Sequence, residues 1–137
     1  MRAVLVDTGP LVAILHQDDG EHDRIVAGLK SIRDPLVTVW PVLTEAMHLL
    51  GFSWRAQDAL WAMVEERAVG LLALDHRDTA RMRELMSKYR DAPMDLTDAS
   101  LVRVAERDGL SRIFTLDGHF SIYRLPRRGR FTIIPAS

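Results

Sequence analysis

The chain has 137 residues, with 47% hydrophobic and 27% charged side chains, a composition that suits one ordinary globular domain burying roughly two thirds of its unfolded surface. The absence of cysteine excludes disulfides, thiolate catalysis and cysteine-ligated zinc. A net charge of −1 excludes a strong overall field for nucleic acid.

The predicted elements alternate between strand and helix. Arg2 to Val6, apolar after Arg2, reads as a strand buried on both faces. Pro10 suits the first turn of a helix running to about His16. Asp18-Asp19-Gly20 interrupts the chain before a helix from Glu21 to Ile32. Leu36 to Val39 is a short strand, and Pro41 opens a helix that ends at Leu50, before Gly51. Ala56 to Arg67 is helical, Val69 to Leu74 a strand, and His76 to Tyr89 a helix with Met82, Leu85, Met86 and Tyr89 on one face. A further helix covers Leu96 to Arg107, and strands follow at Ile113 to Leu116 and Phe131 to Ile134. This order predicts a three-layer α/β/α sandwich on a mainly parallel central sheet. With no repeat or Pro/Gly-rich linker, one domain over residues 1–137 is expected. Ligands of such sheets collect beyond the carboxyl ends of the strands.

The N-terminal apolar run is too short for a signal peptide. The least charged stretch, Pro35 to Trp54, carries Pro41, Glu45 and His48 and makes a poor membrane span. A cytoplasmic location is expected. From Ser121 onward there are four arginines (Arg124, Arg127, Arg128 and Arg130) and no acid, so the remainder carries −5. That basic end suits phosphates or an acidic partner, and equally a solvated turn before the last strand. The Trp- and Met-containing helix from Trp54 to Met63 reads either as an interface or as core.

Four acids stand out by context. Asp7 closes Val4-Leu5-Val6 and precedes Thr8, whose hydroxyl could hold a water beside a cation, and a helix N-terminus that favours a phosphate. As scaffolding it would be a turn residue. Glu45 is the sole charge between Asp34 and Arg55, in a helix with little solvent-facing character. An unpaired buried carboxylate costs several kcal/mol, so it needs a cation or a partner such as His48. Asp98, in Asp95-Leu96-Thr97-Asp98, falls in the first turn of its helix with Ala99 leaving space beside it, while Asp95 reads mainly as the N-cap. Asp117 follows Ile113 to Leu116, and strand alternation puts Thr115 on the same side, where its hydroxyl could orient water or a phosphate oxygen. His119 reads as polar surface. Four oxygen ligands with no cysteine and no histidine pair favour Mg²⁺ or Mn²⁺ over zinc.

The segments Val4-Leu-Val-Asp7-Thr-Gly-Pro-Leu-Val-Ala13, Thr44-Glu45-Ala46, Asp95-Leu-Thr-Asp98-Ala-Ser-Leu101 and Thr115-Leu-Asp117-Gly-His-Phe120 together resemble PIN-domain nucleases, and specifically the VapC-type toxins of bacterial toxin–antitoxin pairs. The resemblance spans nearly the whole chain. It implies a compact α/β/α fold and a Mg²⁺- or Mn²⁺-dependent endoribonuclease whose acidic quartet is Asp7, Glu45, Asp98 and Asp117, with Thr115 as the accompanying hydroxyl. It also implies a homodimer, a cognate antitoxin that reaches the site, and products with 5′-phosphate and 3′-hydroxyl ends. Hydrolysis of RNA by water activated at one or two cations follows as the expected chemistry, with Thr8, Arg124 and Arg127 expected at the substrate. The alternatives are a PIN-like nuclease for RNA processing or DNA structures, and a silent RNA- or protein-binding module. Gly9 stands where a dehalogenase-type phosphatase needs a second Asp. The two lysines, Lys30 and Lys88, lie in helices rather than after the late strand a receiver domain requires. No P-loop is present.

Overall fold

The computed structural model describes residues 2–135. Its centre is a five-stranded sheet ordered β3-β2-β1-β4-β7, built from β1 (Val4–Val6), β2 (Leu36–Thr38), β3 (Val69–Leu71), β4 (Arg112–Phe114) and β7 (Thr132–Ile134). Every pairing in it is parallel, so each connection must cross over through a helix or long segment. Flanking the sheet are α1 (Thr8–Leu15), α2 (His22–Ser31), α3 (Trp40–Leu49), α4 (Trp54–Glu65), α5 (His76–Lys88) and α6 (Leu96–Asp108). The expected three-layer α/β/α architecture is therefore found, with this sheet wholly parallel.

Strand β1 is central because all three of its residues are apolar and none is exposed. It pairs with β2 on one side and β4 on the other, with Leu5 opposite both Val37 and Ile113. The chain proceeds outward from β1 through β2 to β3 on one flank, and through β4 to β7 on the other. The crevice between the carboxyl ends of β1 and β4 is thus a topological switch point, where open parallel sheets bind ligands. Asp7 and Asp117 both follow these two strands.

Several local readings change. Helix α1 starts at Thr8, two residues before Pro10, because the Asp7 side chain accepts from the Thr8 amide and caps it. Strand β3 stops at Leu71 rather than Leu74. Helix α3 is less buried than its apolar sequence suggests, since Trp40 and Leu49 are each about half exposed and Glu45 is half-buried. The basic segment forms a small antiparallel hairpin of β5 (Arg124–Leu125) and β6 (Gly129–Arg130). Its turn places Arg127 and Arg128 at φ of 60° and 61°, a left-handed conformation that disfavours side chains other than Gly, Asn and Asp.

Candidate active site

Asp7 is fixed by the two strands at the switch point. Its amide donates to the Phe114 carbonyl at 2.9 Å, which ties the residue after β1 to the end of β4. Its Oδ1 accepts from the Thr8 amide at 2.8 Å and its Oδ2 from the Thr115 hydroxyl at 2.8 Å. The Thr115 Oγ1 also accepts from the Asp117 amide at 2.9 Å. Thr115 is buried, with its donor and an acceptor position both engaged inside the protein. It therefore couples Asp7 to the backbone of Asp117. Its hydroxyl is thus committed to the two acid positions that flank the switch point.

Asp98 enters from the first turn of α6. Asp95 caps that helix by accepting from the Asp98 amide at 2.8 Å, the role its position predicts. The Asp98 Oδ2 accepts from the Tyr123 hydroxyl at 2.7 Å. Tyr123 is itself fully buried, its ring packed edge-on against Phe120 and Tyr89 with centroids 5.2 and 5.0 Å away. Glu45 reaches in from α3, and its Oε2 accepts a long bond from the Thr97 hydroxyl at 3.4 Å. Its neighbour is thus Thr97 and not His48, which lies exposed on α3.

Asp7, Thr8, Glu45, Asp95, Asp98 and Asp117 line one cavity of about 290 Å³. The four acids singled out in the sequence, from residues 7 to 117, are thereby brought together. Among the described residues, Asp98, Asp117 and His119 offer ligand atoms within 4.8 Å of one another. The imidazole Nδ1 lies 3.1 Å from Asp117 Oδ1, so His119 belongs to the rim of the site and was missed. The Asp117-Gly118-His119 spacing was the signal, since a one-residue turn returns the histidine to the acid. Tyr123 carried no comparable signal, because its contact with Asp98 depends on the fold.

Burial pushes the Asp98 carboxyl up to about 7, against the Tyr123 hydrogen bond, with the charges of Asp95, Asp117 and Asp7 adding to the rise. Burial likewise raises Asp7 to about 6, opposed by its bonds from Thr115 and Thr8 and reinforced by Asp117 and Glu45. Buried like charges of this kind lack a counter-ion within the protein. The Thr8 Oγ1 is also buried without a hydrogen-bond partner, although such atoms are rarely left unpaired. A hard divalent cation with its waters fits both observations. The donors are carboxylate oxygens, with one hydroxyl aimed to hold a water and one imidazole at the rim.

The expected arginines lie elsewhere. The Arg124 guanidinium donates to the carbonyls of Ser121, Ile122 and Tyr123, closing the 3₁₀ turn at Gly118–Ser121. Leu125, Pro126 and Gly129 of the hairpin bearing Arg127 line a cavity together with the end of α6 around Ala105 to Gly109. That is the end of α6 opposite Asp98, so Arg127 does not meet the acid cavity.

Comparisons with known proteins agree with this geometry. Residues 4–125 match the PIN domain family. The chain is 31% identical over 136 residues to Ribonuclease VapC26 of Mycobacterium tuberculosis, covering 96% of this chain and 100% of that protein. Its fold is similar to the crystal structure of Mycobacterium tuberculosis VapC20, a sarcin–ricin loop cleaving toxin. The TM-score is 0.81 at 22% identity, over 87% of this chain and 93% of the other. It is also similar to a chain in the structure of VapBC2 from Rickettsia felis bound to a promoter DNA fragment. There the TM-score is 0.65 at 14% identity, over 96% and 98% of the two chains.

Proposed function

The chain belongs to the PIN-domain family, and from that premise we propose that it is a VapC-type endoribonuclease that hydrolyses RNA phosphodiester bonds with Mg²⁺ or Mn²⁺. The observation that carries this is the single cavity at the switch point, where Asp7, Glu45, Asp98 and Asp117 meet around the unpartnered Thr8 hydroxyl. The relation to Ribonuclease VapC26 over nearly the whole chain supports RNA as the substrate.

A bound divalent cation supplies a water activated at neutral pH and charge neutralisation at phosphorus. The chain's own residues make that site. Asp7, Asp98 and Asp117 would hold the cation, and Glu45, from α3, would add a fourth carboxylate. Thr115 and Tyr123 set the rotamers of Asp7 and Asp98 through the bonds at 2.8 and 2.7 Å. Thr8 keeps its hydroxyl free to hold a water at the mouth of α1. His119 stands where a proton can be passed to or from a departing oxygen. No side-chain nucleophile is required. The role we assign in the cell is that of a toxin, restrained by a cognate antitoxin and acting as a homodimer.

The test is calorimetric titration with Mn²⁺ of the wild type and of Asp98→Asn, followed by sequencing of RNA ends after digestion of total cellular RNA. Wild-type binding, at least tenfold weaker in the variant, with cleavage yielding 5′-phosphate ends, is the expected result. Absence of Mn²⁺ binding in the folded wild type would remove the metal-dependent reading. Growth arrest on expression, relieved by a neighbouring gene, is expected of the toxin.

A further inference from the structure

Within this reading the acid cavity lacks a group to receive the rest of an anionic substrate, since no basic side chain among the described residues lines it. A second cavity of about 410 Å³ adjoins it and shares Leu116 and Asp117 as the common wall. Among the described residues, Arg24 is the one basic side chain lining either cavity. It projects from the first turn of α2, opposite the turn at Gly118 and Ser121, and the floor beyond is formed by Ile133 and Pro135 of the β7 edge.

We infer that this cavity is a subsite for the nucleotide beside the scissile phosphodiester, with Arg24 contacting its phosphate and Leu116, Ile133 and Pro135 receiving its base. The size is within the roughly 300–1,000 Å³ of small-ligand pockets. A cation beside an apolar wall is the combination with which proteins hold an unstacked base and its backbone in single-stranded RNA. Two features make the site ready. Among the described residues the one ion pair of Arg24 is with Glu21, at 3.2 Å between side chains about half exposed, and pairs of that kind contribute little and exchange easily. The ridge between the cavities is firm, because Leu116 packs on Gly9 so closely that an added Cβ there would stand 3.3 Å from Leu116 Cδ1. The ridge therefore separates a phosphate at the acids from the neighbouring base. The inference rests on the endoribonuclease reading.

The experiment is fluorescence anisotropy with a short labelled single-stranded RNA of mixed sequence, in Ca²⁺ to limit cleavage, at a series of KCl concentrations. Wild type, Arg24→Ala, Arg24→Lys and Ile133→Ser are compared, with Mn²⁺ calorimetry on each. In Arg24→Ala the slope of log affinity against log salt is expected to fall by about 0.7, one phosphate contact on a single strand. Arg24→Lys should keep the wild-type slope, and Ile133→Ser should weaken binding several-fold with the slope unchanged. Mn²⁺ binding should be the same in all four. A wild-type slope in Arg24→Ala overturns the subsite and leaves the nuclease reading standing. Loss of Mn²⁺ binding in Arg24→Ala also overturns it, by placing the effect at the acids. A wild type that binds Mn²⁺ but no RNA overturns the RNA reading, and the subsite with it.

Discussion

At the scale of single residues, the acid cavity makes a pH signature that metal should erase. Asp98 and Asp7 titrate near about 7 and about 6 in the folded chain, against a usual 3.8, chiefly because burial disfavours their charged forms. Between the two ranges the native state holds protons that the unfolded state has released, so stability falls as pH rises. The contribution is fully present below the unfolded value and is lost by the folded one. We expect the melting temperature of the metal-free protein to drop from about pH 4 to about pH 7, and Asp98→Asn to flatten most of that drop. Saturating Mn²⁺ should restore the wild type at the higher pH, because ligation favours the ionised carboxyls. A melting temperature that rises across this interval would contradict the assignment. Thr115→Val probes the same cluster from behind. It removes the donor to Asp7 and the acceptor for the Asp117 amide together, with an expected cost of roughly 1–3 kcal/mol. Mn²⁺ affinity, read by calorimetry, should fall although no proposed ligand is changed.

At the scale of elements, α6, the helix that carries Asp98, is clamped to its neighbour. Helix α5 grips it through Asp78, which is fully buried yet charged. Burial works against that charge, but the Asp75 amide, Arg103 and Arg107 outweigh it and hold the carboxyl below the usual range. Arg103 Nε approaches at 2.8 Å and Arg107 Nη1 at 3.2 Å, both from α6. Asp78 also closes a reciprocal capping box with Asp75 at the start of α5. Asp78→Ala should therefore destabilise the protein by on the order of 3–5 kcal/mol, the usual cost of stranding a buried partner, measured as a lower urea midpoint. Mn²⁺ affinity in the folded variant should be unchanged, since Asp78 does not line the acid cavity. This lock was not legible in the sequence. His76-Arg-Asp-Thr-Ala-Arg81 reads as a solvated helical turn, and the arginines that bury Asp78 lie 25 and 29 residues away. By contrast, the α/β alternation, the buried β1 and the cap at Asp95 were all legible, because each is encoded within a few neighbouring residues. The hairpin at Arg124 to Arg130 escaped for the opposite reason. Two non-glycine residues adopt positive φ there, which local propensity disfavours and only packing against α6 can impose.

At the scale of the whole molecule, the four acids could be picked out because each is chemically out of place in its own segment. Strand order brings Asp7 and Asp117 to the switch point, and the packing of α3 and α6 adds Glu45 and Asp98. Their supporting residues depend on contacts across the fold. Tyr123 lies 25 residues from Asp98, and Thr115 lies 108 residues from Asp7. The other feature visible only at this scale is the surface. The helix from Trp54 to Met63, read either as an interface or as core, has Trp54 67% and Trp61 39% exposed, and beside it Trp40 of α3 is 51% exposed and Phe52 of the connection 64%. Trp40 and Trp61 lie with ring centroids 6.4 Å apart, joining the two helices into one apolar face. Exposed aromatic side chains are the usual anchors of interaction surfaces. We expect a dimer in sedimentation velocity, with Phe52→Ser and Trp54→Ser combined shifting it to monomer at the same concentration. Because both side chains are already mostly in water, the double variant should keep its Mn²⁺ affinity and should not lose stability from a disrupted core. Its melting temperature should instead lose the concentration dependence that dimerisation gives the wild type. A wild type that stays monomeric at every concentration would contradict the assignment of this face to a homodimer.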